Sequence, residues 1–156
     1  MALPCSARVL VVDDQPSIRT GLTLLIDSEH PRLRSVGAAG SCAEALALAR
    51  LLQPELVLLD VDLAGEDGLS LIALLRCEAA CRVVVLTSAA TPGVRTRALQ
   101  LGALACLSKT APAAELLQCL LDIAYAAQEG EMSCPGGSEC LVESGNFSDG
   151  NSRGIA

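Results

Sequence analysis

Short apolar runs alternate along this chain with longer segments in which apolar residues recur every three or four positions. The runs are Arg8-Val9-Leu10-Val11-Val12, Leu33 to Ala38, Leu56-Val57-Leu58-Leu59, Arg82-Val83-Val84-Val85-Leu86 and Ala105-Cys106-Leu107-Ser108. Each is bounded by turn or polar residues, as expected of a strand buried on both faces of a parallel sheet. Between them, Ile18, Leu22, Leu25 and Ile26 follow Pro16 at helical spacing and predict a helix that ends near Ser28. Ser41-Cys42-Ala43-Glu44 has the spacing of a capping box, and Ala45, Leu48, Ala49 and Leu52 continue it as a second helix up to Pro54. A third helix is predicted over Leu69 to Arg76. A fourth runs from Pro92 to Leu101, with Gly102 placed to stop it in a left-handed turn. Pro112 opens a last helix carrying Leu116, Leu117, Leu120, Leu121 and Ile123. Five alternations of strand and helix predict an α/β fold, a doubly wound, flavodoxin-like five-stranded parallel sheet flanked by five helices.

Composition sharpens this picture. The 156 residues are 51% hydrophobic but only 1% aromatic, so the core must be built from Leu, Val, Ile and Ala. A net charge of −7 argues against nucleic-acid binding by the chain alone, because phosphate contacts need a basic patch. No apolar run approaches the roughly 20 residues of a membrane span, and Met1 to Arg8 lacks the basic and apolar regions of a signal peptide. The expectation is a cytoplasmic protein. Of the eight cysteines, Cys42, Cys77, Cys106 and Cys119 lie within apolar periodic segments, where Cys acts as a small hydrophobe. With no C-x-x-C and a single histidine, His30, the ligand spacing of a zinc site is missing. Residues 129–156 are rich in Gly and Ser and carry five acids against one base. They read as an acidic, disordered tail that follows a folded domain over 1–128. Cys134 and Cys140 lie in that tail, either as reduced thiols or as a pair.

The strand ends carry the chemistry. The first ends in Asp13-Asp14, the third in Asp60, the fourth in Thr87-Ser88 and the fifth at Lys109. In a parallel sheet these ends share one edge, the edge where open α/β sheets bind ligands. Three carboxylates in one place call for a hard cation, and Mg²⁺ suits a few carboxylates plus phosphate oxygens. Asp60 could then attack phosphorus, with Lys109 neutralising the phosphoryl oxygens and the Thr87 hydroxyl donating to one of them. Each residue also has an ordinary reading: Asp13-Asp14 as acids at a helix start, Thr87 as a turn residue, Lys109 as a solvated lysine.

With these residues in place, positions 8–128 resemble the receiver domain of response regulators in two-component systems. Val11-Val12-Asp13-Asp14-Gln15-Pro16, Arg19, Gly21 and Leu107-Ser108-Lys109-Thr110 are most similar to the branch that usually carries a LuxR-type helix-turn-helix. The resemblance implies that Asp60 is the phosphoacceptor and that Asp13, Asp14, Asp60 and the backbone carbonyl of Asp62 hold Mg²⁺. Thr87 would be the switch hydroxyl and Lys109 the phosphate-contacting lysine. It also implies a sensor histidine kinase as phosphoryl donor. Phosphorylation would switch the surface of the fourth helix, fifth strand and last helix, to control a partner or an output domain that this chain lacks. Such a protein accepts a phosphoryl group and loses it to water without being a turnover enzyme.

Three positions depart from the pattern. Cys106 stands where Tyr or Phe is usual and is too small to rotate inward as that ring does. Ala64 stands where Pro is common, leaving the loop after Asp60 less fixed, and Thr110 replaces a frequent Pro. The apolar last helix, with Leu117, Leu121 and Ala124, fits either a homodimer interface or burial on its own sheet. Two rivals remain. Asp60-Val61-Asp62 resembles the D-x-D motif of haloacid-dehalogenase-type phosphohydrolases, although Asp13-Asp14 precede it and Leu63-Ala64 follow where Gly and Thr are expected. The second is a receiver-like interaction module that is never phosphorylated.

Overall fold

The computed structural model describes residues 6–133, apart from Ala64 and Ala89 and the side chains of 127–133. Five strands form one sheet: β1 (Ala7–Val12), β2 (Leu33–Ala39), β3 (Leu56–Leu59), β4 (Arg82–Thr87) and β5 (Ala105–Ser108). Their order is β2-β1-β3-β4-β5, and every pairing is parallel. Between the strands lie α1 (Pro16–Asp27), α2 (Cys42–Leu52), α3 (Leu69–Ala79) and α4 (Pro92–Leu101), and α5 (Ala113–Ser133) follows β5. This is the doubly wound architecture that the alternation predicts.

Side-chain alternation divides the core between the two sheet faces. Leu10, Val12, Val57, Leu59, Val83 and Val85 join one buried cluster with Ala45 and Ala49 of α2, Leu71, Ile72 and Leu75 of α3, and Ala98 of α4. The intervening residues Val9, Val11, Leu56, Leu58 and Val84 are equally buried and point to the other face. Small residues on α2 and α4 and β-branched residues on β4 let helix and sheet approach closely without aromatic rings.

Local signals terminate the elements much as the spacing predicts. Ser41 Oγ accepts the Glu44 N–H and caps α2. The Glu44 carboxylate reaches one residue further back than a capping box requires, to the Gly40 N–H at 2.8 Å. Gly102 ends α4 at φ 113°, and α3 runs three residues beyond Arg76 to Ala79. A two-residue antiparallel ladder, Asp62–Leu63 against Glu66–Asp67, was not foreseen.

The close contacts divide the chain into two units, 1–121 and 122–156. Helix α5 continues to Ser133, past the compositional boundary at 128. Gln128, Glu129, Glu131 and Met132 all have good helix propensity, so acidity there does not imply disorder. The remainder of the expected tail, with Cys134 and Cys140, lies outside the described residues. Leu116, Leu120 and Leu121 of α5 are buried within the single chain.

Candidate functional site

The sheet delivers Asp13, Asp60 and Lys109 one step beyond a strand, each held by a continuing ladder bond, and Thr87 as the last residue of β4. The Asp13 N–H donates to the Ala39 carbonyl at 3.0 Å, Asp60 to Val12 at 2.9 Å and Lys109 to Thr87 at 2.9 Å. Since β3 neighbours both β1 and β4, Asp60 sits between Asp13 and Thr87 at the carboxyl edge. Asp13, Asp60 and Thr87 are the buried polar residues among those described.

One carboxylate oxygen from each of Asp13, Asp14 and Asp60 lies within 4.8 Å of the others. Lys109 Nζ spans two of these acids, at 2.7 Å from Asp13 Oδ2 and 2.9 Å from Asp60 Oδ2. Asp13 Oδ2 is buried, and the Lys109 ammonium is its partner among the described residues. Burial raises the Asp60 carboxyl above its ordinary range, against the opposing pull of the Lys109 hydrogen bond. Burial also lowers Lys109, but its bonds to Asp13 and Asp60 outweigh this and leave the ammonium raised overall. The site therefore stores carboxylate charge that one lysine only partly compensates. Three carboxylates that each turn a hard oxygen donor to one place fit a small divalent cation such as Mg²⁺.

The ordinary reading of Asp13-Asp14 as helix caps does not hold. The N-cap of α1 is Gln15, which makes no side-chain cap bond, and no acid lies in the first turn. Asp13 Oδ1 instead accepts the Gln15 N–H at 2.9 Å, a turn that fixes the carboxylate at the sheet edge. Asp62 enters through its backbone: its N–H donates to Asp60 Oδ1 at 3.2 Å, while its side chain is exposed.

The positioning roles of several residues, Arg19 of the resemblance motif among them, are not legible in the sequence. Arg19 Nη1 donates to the Asp13 carbonyl at 2.7 Å and ties α1 to the site. Gly68 closes the loop after Asp60 by donating to the Val61 carbonyl at 2.8 Å. A methyl group there would lie 2.5 Å from the Asp60 carbonyl oxygen and 2.8 Å from Val61 Cα. The Glu66 carboxylate accepts the Cys42 N–H at 2.9 Å and so joins this loop to the start of α2. Only a serial motif or a backbone trace would expose such roles, because a lone Gly or Glu has no periodicity. Ala64 itself lies outside the described residues, but the segments on either side of it are paired. Cys106 is buried, burial raises its thiol, and its carbonyl accepts from Arg95 Nη1 at 2.7 Å.

Comparison with known proteins agrees with this arrangement. The response regulator receiver domain family matches residues 9–121. The chain belongs to that family. It is 40% identical over 114 residues to the response regulator GacA of Pseudomonas viridiflava, a match covering 72% of this chain and 53% of that protein. It is also 40% identical over 90 residues to protein-glutamate methylesterase/protein-glutamine glutaminase 3 of Myxococcus xanthus strain DK1622, covering 58% of this chain and 25% of that protein. The chain thus spans about half or less of the length of these curated relatives. Among solved structures, the signal receiver domain of the response regulator NarL from Mycobacterium tuberculosis superposes with a TM-score of 0.72 at 33% identity. That match covers 78% of this chain and 98% of the other. These relatives agree with the LuxR-type branch, and the dehalogenase-type resemblance gains no support. Among the described residues, no helix is long and apolar enough to cross a membrane.

Proposed function

We propose that this receiver domain is a phosphorylation switch in which Asp60 accepts a phosphoryl group from a phosphohistidine of a sensor histidine kinase. The observation that carries the reading is Lys109 Nζ within 2.9 Å of both buried carboxylates, at the edge where the strand ends converge. Asp60 is the nucleophile. Its carboxylate oxygen forms a bond to phosphorus while the P–N bond breaks and its electron pair returns to the imidazole. Attack by water later releases inorganic phosphate and restores the carboxylate.

Asp13, Asp14, Asp60 and the carbonyl of Asp62 would hold Mg²⁺. When bound, that ion supplies positive charge against the phosphoryl oxygens. Lys109 supplies the second positive charge and must exchange a carboxylate partner for a phosphoryl oxygen as the group arrives. The Thr87 hydroxyl donates to another oxygen, and the resulting shift biases the surface of α4, β5 and α5. The chain accepts one phosphoryl group per cycle, loses it to water and does not act as a turnover enzyme. Its kinase partner places the reaction in the cytoplasm.

The test is intact mass after incubation with Mg²⁺ and acetyl phosphate. One phosphoryl group is expected on the parent, and none in the absence of Mg²⁺ or on an Asp60→Asn variant. An unmodified parent whose spectra also ignore Mg²⁺ and beryllofluoride would overturn the reading in favour of a module that acts through contacts alone.

A further inference from the structure

At the opposite edge of the sheet, a cleft of about 350 Å³ opens between the end of α3, the start of β4 and the turn from α4 into β5. Arg76, Ala80, Cys81, Arg82, Gly102 and Leu104 line it. We infer that this cleft binds a small phosphorylated organic anion, through the guanidinium groups of Arg76 and Arg82, which both line it. This assignment is independent of the phosphorylation reading at Asp60.

Three observations carry it. First, among the described residues neither side chain donates a hydrogen bond or pairs with a carboxylate, although the chain as a whole is acidic. The nearest acid in sequence, Glu78, is engaged by Arg50. Helix α4 and strand β5 contain no acid at all.

Second, the arginines are not explained as helix-end caps. Cations are favoured where helices end, and both α3 and α4 end here. Yet neither guanidinium reaches a helix carbonyl. Arg8 shows what such a cap looks like in this protein, donating to the carbonyls of both Leu52 and Gln53 at the end of α2.

Third, Gly102 makes the room. A methyl group at that position would lie 2.6 Å from Arg76 Cδ and 2.9 Å from its Cζ, so the guanidinium rests over bare backbone beside the cleft. Two planar forks can receive the several oxygens of a phosphate more fully than the two of a carboxylate. Leu104, 51% exposed, offers an apolar wall for the organic part of the ligand.

The test is titration of the full chain with adenosine monophosphate, followed by amide chemical shifts. Inorganic phosphate and citrate serve as comparisons. The expected result is saturable movement of the Arg76, Cys81, Arg82, Gly102 and Leu104 amides, strongest with the nucleotide and weakest with citrate. An Arg76→Gln/Arg82→Gln variant should bind about tenfold or more weakly. Arg82→Lys, which keeps the charge but loses the fork, should fall between. Phosphoryl incorporation from acetyl phosphate should be unchanged in both variants, so failure at one edge is distinguishable from failure at the other. The inference is overturned by shifts that do not saturate at millimolar nucleotide, by shifts that survive the double substitution, or by citrate binding as well as phosphate. Arg76 is exposed and unbonded, so Arg76→Gln alone supplies a folded variant in which the same loss must be visible in part.

Discussion

The two edges of the sheet carry opposite charge and treat it in opposite ways. At the carboxyl edge Asp13, Asp14 and Asp60 crowd within 4.8 Å, two of them buried, with a single lysine between them. At the amino edge Arg8, Arg34 and Arg82 stand at or near the first residues of their strands, and Arg76 lies in the last turn of α3. Helix direction favours cations at the amino edge, where helices end in exposed carbonyls. The carboxyl edge instead concentrates like charges where they repel. That edge holds free energy against itself, and a cation or a change in charge there has something to release. The amino edge is quieter: Arg8 is held by backbone carbonyls, and Arg76 and Arg82 line a cleft with no carboxylate paired to them among the described residues.

Substitutions separate the edges, and the largest effect lies at Asp60. Asp60→Asn should abolish phosphoryl incorporation, measured by intact mass, while leaving the fold intact. The next is Gly68→Ala, whose new methyl would press on the Asp60 and Val61 backbone. Overpacking of this kind costs about 1–3 kcal/mol. It should appear both as a lower urea midpoint and as slower phosphorylation, because the displaced backbone carries the nucleophile. If only stability changes, the loop does not position Asp60.

At the quieter edge, Arg8→Met removes both donors from the end of α2. Bonds from a charged donor are each worth about 1.5–3 kcal/mol. Partial exposure and water substitution should bring the loss in urea denaturation to the low end of that range. Phosphorylation should not change.

The smallest effect is a pH dependence. Burial raises Asp60, so the native state holds that proton more tightly than the unfolded chain does. Its ionisation therefore weakens the native state at neutral pH, and the weakening is relieved as pH falls through the raised value toward the ordinary 3.8. In metal-free buffer, Asp60→Asn should be slightly more stable than the parent at pH 7, with the gap narrowing as pH falls. Lys109 works in the other direction: its raised ammonium stabilises the native state below 10.5 and loses that contribution as pH rises through the folded value. A gap in denaturation midpoints that stays constant with pH would show that the carboxyl edge is not under the electrostatic load described above.

Much of this was legible in the sequence because the signals were redundant. The strand at Leu56–Leu59 was marked by an unbroken apolar run, by Pro54 before it and by Asp60 after it. Helix α2 carried a cap, a period and a stop. The convergence of Asp13, Asp14, Asp60, Thr87 and Lys109 followed from parallel strands alone. The misses have different causes. The ladder across Asp62–Leu63 and Glu66–Asp67 is too short for any period to show. The continuation of α5 to Ser133 was hidden by acidity, which colours composition without opposing a helix.

By itself, the sequence determined the order and type of the elements, the parallel sheet and the edge where the acids gather. Those depend on periodicity and on chain direction, both of which are local properties. Only the tertiary structure decided that Lys109 bridges Asp13 and Asp60, that Gly68 bears on the Asp60 backbone, and that Arg76 and Arg82 share an unanswered cleft. Those depend on distances between residues far apart in the chain, 49 positions for Lys109 and Asp60 and about twice that for Lys109 and Asp13. Such distances are set when β1, β3, β4 and β5 pack into one sheet, and no window along the chain contains them.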